Sequence, residues 1–249
     1  MSKAPFDKLN LGDHVGDAEG DVFANRANFT RQLKVKPVFL NQVHGVQVAT
    51  VSPTSLNGAA ADASITRQPG AACTIMVADC LPVLFTSRLG TVVAAAHAGW
   101  RGLAGSANLQ PGSGAVGVLE TCFHAFKTLA LTNHQQPSIE EIGRETLVWF
   151  GPCIGADAFE VGDEVRDAFV ASTPSAADMF RPHGPGKWLA DLRGLARQRL
   201  QRLGVTAIYG NDGSTAWCTV NNPSRFFSHR RDHGTLGGSG RMAAAIWLE

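Results

Sequence analysis

Three short segments of the sequence each carry a donor for soft or borderline metals in a turn or strand-end setting: Asn41-Gln42-Val43-His44-Gly45, Ala78-Asp79-Cys80-Leu81-Pro82 and His97-Ala98-Gly99-Trp100-Arg101-Gly102. Brought together, His44, Cys80 and His97 would fill three of the four tetrahedral positions that zinc prefers, and a vacant fourth position marks a catalytic rather than a structural zinc. Gly45 suits a turn that aims the His44 ring into a cleft. Pro82 biases Leu81 away from helix, so Cys80 is expected at the edge of the strand that Cys73 begins. His97 follows the apolar run Thr91 to Ala96 and opens a glycine-permitted turn into a helix. Such a junction offers unpaired backbone N–H groups to an anion, and Arg101 within it has a guanidinium fork suited to phosphate or carboxylate. Taken singly, a histidine is commonly structural and a free cysteine an inert core residue. The chemistry therefore depends on the three donors meeting.

Around this set the sequence offers further polar groups. Asp79 either orients a ligand imidazole from behind or caps a turn. If Phe226 to Asp232 continues as a strand, Arg230 and Arg231 point to opposite faces, one toward the cleft and one toward Asp232. His44, Cys80, His97 and Arg101 are thus the expected catalytic residues, and Gln42, Asp79, Arg101, Arg230 and Arg231 the expected contacts to substrate or phosphate. Cys153, in the turn Gly151-Pro152-Cys153-Ile154-Gly155, and Cys218 are expected to be structural. Gly112 to Gly117 superficially resembles a phosphate loop but lacks the following Lys-Ser/Thr pair.

The elements that must position these residues show in the periodicity. Apolar, β-branched runs at Pro37–Leu40, Val46–Val51, Cys73–Val77, Val83–Thr86 and Thr91–Ala96 read as strands, as do Leu147–Phe150, Val205–Tyr209, Arg225–His229 and Ala243–Leu248. From Val116, apolar spacings of three or four predict a helix to Ala130, with Asn133 as a stop. Further helices are predicted over Val161–Ala171 and from Leu189 to Leu203, the latter with Asp191 in its first turn, Gly204 as C-cap and Arg193, Arg197, Arg199 and Arg202 on a solvated face. Ser172–Ala177, Pro182–Gly186 and Gly234–Gly240 read as loops. Strands in series without regular βαβ alternation favour an α+β domain with mixed sheets.

Composition narrows the partners. The 249 residues are 44% apolar with a formal charge of +1, enough for one large core and without the basicity of a nucleic-acid binder. No apolar stretch approaches the roughly 20 residues a membrane span needs, and the N-terminus lacks a signal peptide's apolar region. Five cysteines without a CxxC pair argue for reduced thiols. A cytoplasmic protein with a small-molecule substrate is expected.

Together, Asn-Gln-Val-His-Gly, Ala-Asp-Cys-Leu-Pro-Val, His-Ala-Gly-Trp-Arg-Gly, Gly-Pro-Cys-Ile-Gly, Phe-Glu-Val-Gly and Phe-Phe-Ser-His-Arg-Arg-Asp, in this order between Leu9 and Leu248, resemble the YfiH, or laccase-domain, family. The resemblance implies a single domain over residues 1–249 with a four-layer αββα sandwich of mixed sheets. It also implies a zinc-dependent purine nucleoside phosphorylase with adenosine deaminase and methylthioadenosine phosphorylase activity, acting on a nucleoside and phosphate. The family's metal triad falls on His44, Cys80 and His97. Two rivals stand beside it: a Cys80–His97 amide hydrolase in peptidoglycan precursor editing, and a copper polyphenol oxidase, the family's earlier description. The second needs more histidine ligands than the motifs supply. Relatives usually carry a strand with Thr-Thr-Arg-x-Gly-Gly-Val-Ser before the part resembling Phe6 to Gly12, so that first strand is expected to be missing here. They also usually have a shorter stretch where this chain has Asp232–Gly240.

Overall fold

Alternation along the strands assigns the layers, because successive side chains of a strand point to opposite faces. In the computed structural model, which describes residues 2–105, 116–130 and 138–249, the central strand of one sheet is β4 (Ala71–Val77), paired in parallel with β1 (Lys36–Phe39) and antiparallel with β12 (Met242–Trp247). Cys73, Ile75 and Val77 of β4 and Val38 of β1 face a second sheet, while Met76 and Phe39 face the opposite way, toward Phe29. Phe29 belongs to helix α1 (Glu19–Leu33).

The second sheet has six strands in the order β11-β7-β5-β6-β3-β2. These are β2 (Val48–Thr50), β3 (Ala63–Thr66), β5 (Leu81–Ser87), β6 (Val93–Ala98), β7 (Thr146–Phe150) and β11 (Ala207–Gly210). Its β2–β3 and β7–β11 pairings are parallel and the others antiparallel. Val93 and Ala95 of β6 meet the first sheet, whereas Ala94, Ala96 and Ala98 join the main core with Phe85, Phe123 and Phe126. Burying each such phenylalanine contributes on the order of 2–3 kcal/mol. Helices α3 (Val118–Ala130) and α6 (Leu192–Arg202) cover that face. The layers run helix, sheet, sheet, helix, in one domain with mixed sheets. The short α2 (Trp100–Ala104), α4 (Ile139–Arg144) and α5 (Asp163–Val170) and a small antiparallel sheet of β8 (Glu160–Gly162), β9 (Phe180–Pro182) and β10 (Lys187–Ala190) complete the frame with α7 (His229–Leu236).

Several expectations change. Arg225–His229 is not a strand: turns lead into α7, whose start is fixed by Ser228 Oγ accepting from Arg231 N at 3.2 Å, a side-chain N-cap. That helix runs into the predicted Gly234–Gly240 loop and ends at Gly237, whose φ of 72° suits glycine. Leu189 and Ala190 belong to β10, and Asp191 is the N-cap of α6, accepting from Gly194 N at 2.8 Å. Residues 160–162 form β8, so α5 begins at Asp163. Ser172–Ala177 contains most of a 3-10 turn, Pro174–Met179.

Arg199 leaves the predicted solvated face. It is 5% exposed, bonds Glu120 Oε1 at 2.8 Å and donates to Ala104 O at 3.0 Å, tying α6 to α3 and α2. Helix α1 and strand β3 escape the periodicity: α1 buries only Val22 and Asn25, and β3 is buried throughout, giving no alternation to read. The Asn133 stop and residues 112–115 of the glycine-rich stretch lie outside the described residues.

Candidate metal centre and substrate cleft

The three donors come from two connections and a strand end. His44 lies between β1 and β2 with φ 59°, Cys80 between β4 and β5 directly after Asp79 at φ 93°, and His97 near the end of β6. Their ligand atoms all lie within 4.8 Å of one another, with Cys80 Sγ 4.0 Å from His44 Nε2 and the imidazoles edge to face at 4.8 Å between centroids. Small residues make this approach possible. A Cβ at Gly99 would stand 2.9 Å from Cys80 Sγ and 3.1 Å from His44 Cδ2, and one at Gly102 would stand 2.7 Å from Gly45 O.

Asp62, fully buried at the head of β3, organises the cluster. Its carboxylate accepts from Val43 N, His44 N and Gly45 N at 3.1, 2.9 and 2.7 Å, and pairs with His97 Nδ1 at 2.8 Å. One residue thus fixes the His44 turn and, by occupying Nδ1, leaves His97 Nε2 for the cluster. Sequence reading missed Asp62. The available signal was a lone carboxylate between Ala61 and Ala63 in an otherwise apolar and small-residue run.

The electrostatics agree with the geometry. Burial alone would raise the Asp62 pKa, but hydrogen bonds from His97, Gly45 and Val43 and the charge of His97 outweigh it and hold it below the usual carboxylate value. Burial would likewise raise the Cys80 thiol, yet the charge of His97 and hydrogen bonds with His44 and His97 bring it down to about 6. His97 is lifted to about 9, against burial, by the Cys80 thiolate and Asp62. Without a metal this is a thiolate–imidazolium pair backed by a carboxylate.

The donor set fits a metal of zinc's preferences. Zinc–nitrogen and zinc–sulfur bonds in a tetrahedron place ligand atoms about 3.3–3.6 Å apart, so side-chain adjustments of about an ångström would close these donors on an ion. Among the described residues this is the one group of three or more His, Cys, Asp or Glu side chains so placed.

The cluster opens into a cleft of ≈ 340 Å³, within the range of small-molecule sites. Val77, Trp100, Ile154, Phe159 and Leu192 supply apolar wall, and His14, His229, Arg230 and Arg241 line the rest. Gln42 also lines it, but its amide is engaged like a strand backbone, accepting from Met76 N and donating to Met76 O, each at 2.8 Å. Asp79 borders the cleft with its carboxylate committed elsewhere, to Thr219 Oγ1 at 2.5 Å and Arg230 N at 2.6 Å. It anchors the start of α7 and reaches neither imidazole; Asp62 takes that place.

Arg101 is exposed on α2 with its guanidinium 4.4 Å from the Trp100 ring centroid, and is not among the residues lining the cleft. The helical start of α7 separates the arginine pair. Arg230 lines the cleft and donates to Glu160 O at 3.0 Å, whereas Arg231 turns away, bonding Thr219 O, Val220 O, Phe226 O and Asp232. Arg241 was not among the expected site residues: it falls between the predicted Gly234–Gly240 loop and the strand predicted from Ala243, outside every motif read for chemistry. Cys153 and Cys218 are buried bridge partners.

The whole chain, residues 1–249, matches the family described as multi-copper polyphenol oxidoreductase laccase. It is 46% identical to purine nucleoside phosphorylase PA4543 of Pseudomonas aeruginosa and 44% identical to purine nucleoside phosphorylase YfiH of Escherichia coli, covering 100% of this chain and 89% of each relative. Among solved structures, Neisseria meningitidis protein NMB0706 superposes with a TM-score of 0.85 at 43% identity, covering 100% of this chain and 90% of that one.

Proposed function

The chain belongs to the YfiH, or laccase-domain, family, and from that premise we propose that it is a zinc-dependent purine nucleoside phosphorylase that cleaves adenosine, inosine and methylthioadenosine and also deaminates adenosine. The observation that carries the reading is the convergence of His44, Cys80 and His97 at one end of a cleft with apolar walls and a cationic lining. The names of the relatives support it.

In phosphorolysis a phosphate oxygen bonds to C1′ as the C1′–N9 bond breaks. The purine leaves with the electron pair and takes a proton, giving ribose 1-phosphate and free base. His44, Cys80 and His97 would hold the metal, which when bound supplies Lewis-acid stabilisation of a substrate oxygen or water. Asp62 holds the His97 ring in one orientation. Phe159, Ile154 and Trp100 offer apolar surface to the purine and exclude water from it, and the basic groups of the cleft hold phosphate beside C1′, the positioning that makes attack effectively intramolecular. In deamination the same walls would present the amine-bearing purine carbon to water, with ammonia as the leaving group.

One observation favours a second reading. Cys80, His97 and Asp62 have the order of a nucleophile, base and orienting carboxylate, which would suit amide cleavage in a metal-free protein. Copper oxidation is less well supported, since it calls for several copper sites and the described residues assemble one donor group.

Chromatography of adenosine and inosine incubated with the purified protein, with and without phosphate, tests the proposal. Free base should appear only with phosphate, and its rate should fall at least about 1,000-fold in Cys80→Ala. Equal turnover in that variant, or no nucleoside consumed by zinc-loaded protein, would overturn it.

A further inference from the structure

Arg241 is the cation of the cleft whose setting fits no structural purpose already described. It is half-buried and lines the cleft beside the metal cluster, and no carboxylate of the described residues pairs with it. Its backbone is fixed from the N-terminal segment: Arg241 N donates to Asn10 Oδ1 at 2.8 Å, and Leu11 N donates to Arg241 O at 2.9 Å. Its stem passes over Gly12, where a Cβ would come within 2.8 Å of Arg241 Cγ. The guanidinium is aimed by one nitrogen only, Nη1 donating to Ser239 O at 2.8 Å and Gly240 O at 3.1 Å. Nε and Nη2 have no protein acceptor among the described residues.

The neighbours decide what those two N–H edges are for. Arg241 lines the same cleft as Cys80, His97 and Asp79, and the charges of Cys80 and Asp79 act on its guanidinium. A divalent metal held by the cluster would offset the negative charge of that wall. His229 feels the charge of Arg241 in turn, and Arg230 borders the same cleft. Among the described residues the one carboxylate lining the cleft, Asp79, is already hydrogen-bonded by Thr219 and Arg230 N. The resulting field attracts anions, and a planar fork with two free donors matches the oxygens of a tetrahedral oxyanion.

We infer that Arg241 is the phosphate-binding residue of this cleft, its Nε and Nη2 gripping inorganic phosphate beside the metal cluster, with His229 and Arg230 at the outer side. This rests on the phosphorylase reading and moves the phosphate contact from Arg101, which is exposed on α2, to the far end of the chain. The rigid backbone clamp at Asn10 and Leu11 holds the fork in place before phosphate arrives, which lowers the ordering cost of binding.

Two readouts on the metal-loaded protein test it, with Arg241→Gln, Arg241→Lys and Arg230→Gln as variants. Inorganic phosphate at ten times its dissociation constant should raise the unfolding midpoint of the unsubstituted protein by about 3 °C. Arg241→Gln should lose that shift, and Arg230→Gln should keep most of it. In phosphorolysis, Arg241→Gln should raise the KM for phosphate at least about 30-fold while the KM for nucleoside moves less than about threefold. Arg241→Lys, which keeps the charge and the packed stem, should raise the phosphate KM about tenfold and serves as the readout should the glutamine variant not fold.

Unchanged phosphate protection and phosphate KM in Arg241→Gln would overturn the assignment, as would loss of protection in Arg230→Gln alone. So would a joint rise of both KM values, which marks a structural role. Phosphate protection that depends on Arg241, in a protein that cleaves no nucleoside, would sink the phosphorylase reading and keep the subsite. Phosphorolysis with an unaltered phosphate KM would do the reverse.

Discussion

Two aspartates flank the cluster, and their contrast separates what builds the centre from what builds the cleft. Asp62 and Asp79 are both buried, and each accepts backbone N–H bonds from an element distant in sequence. Asp62 spends its carboxylate on the side of the His44–Cys80–His97 cluster, holding the His44 turn and the His97 ring. Asp79, adjacent to Cys80 in sequence, spends its carboxylate on the opposite wall, holding Thr219 and the first turn of α7. Proximity in sequence to a ligand therefore says little about which carboxylate tunes it. The carboxylate that matters to the imidazole is the one that reaches its second nitrogen.

Removing the two charges separately should give two different outcomes. Asp62→Asn should lower metal affinity about 10–100-fold, the usual cost of losing an outer partner of a ligand histidine, measured by competition with a chromophoric chelator. It should also change acid stability. The folded pKa of Asp62 lies below its unfolded value, so its stabilisation is complete above about pH 4 and is lost as pH falls through the lower folded value. Denaturant titrations of metal-free protein across that window should show the loss, and Asp62→Asn should lack it. Asp79→Asn tolerates the left-handed backbone of this position but places an amide donor against a donor. It should cost about 1–3 kcal/mol of stability while metal affinity stays within about twofold. Equal metal loss in both variants would erase the distinction.

Thiol chemistry sharpens the same point. In metal-free protein, alkylation of Cys80 by iodoacetamide should reach half its maximum near pH 6, because a thiol whose pKa is lowered to about 6 is thiolate above that pH. Cys73, whose thiol burial pushes up to about 12, and Cys122 and Cys153, which burial pushes up as well, should stay unmodified in the folded protein. A half-maximum near 9 for Cys80 would remove the imidazolium from the picture. The smallest effect belongs to Arg101→Ala, which should change the KM for phosphate less than about twofold, since its guanidinium lies over Trp100 and outside the cleft lining.

The donors were legible in the sequence because their residue types are scarce and their turns are marked by glycine and proline. Their supports were not. Asp62 sits in a run of small residues that shows no strand period, since β3 is buried on both faces. Phe226-Phe227 looked like a strand, but Ser228 supplies a helix cap three residues before Arg231, and that single hydroxyl decides which arginine faces the cleft. Arg199 looked solvated on helical spacing alone. Its partners Glu120 and Ala104 lie 79 and 95 residues away in sequence, beyond any local pattern. Strands β4 and β6, also buried throughout, were legible as continuous apolar runs, whereas helix α1 buries little and offered no apolar stripe to read.

The proposed chemistry requires His44, Cys80 and His97 to form one metal centre, and metal stoichiometry tests that most directly. Inductively coupled plasma mass spectrometry of the purified protein beside Cys80→Ala should find about one zinc per chain in the former and less than about a tenth of that in the latter. Equal zinc in both proteins, or none in an unsubstituted protein exposed to zinc and then dialysed, would contradict it.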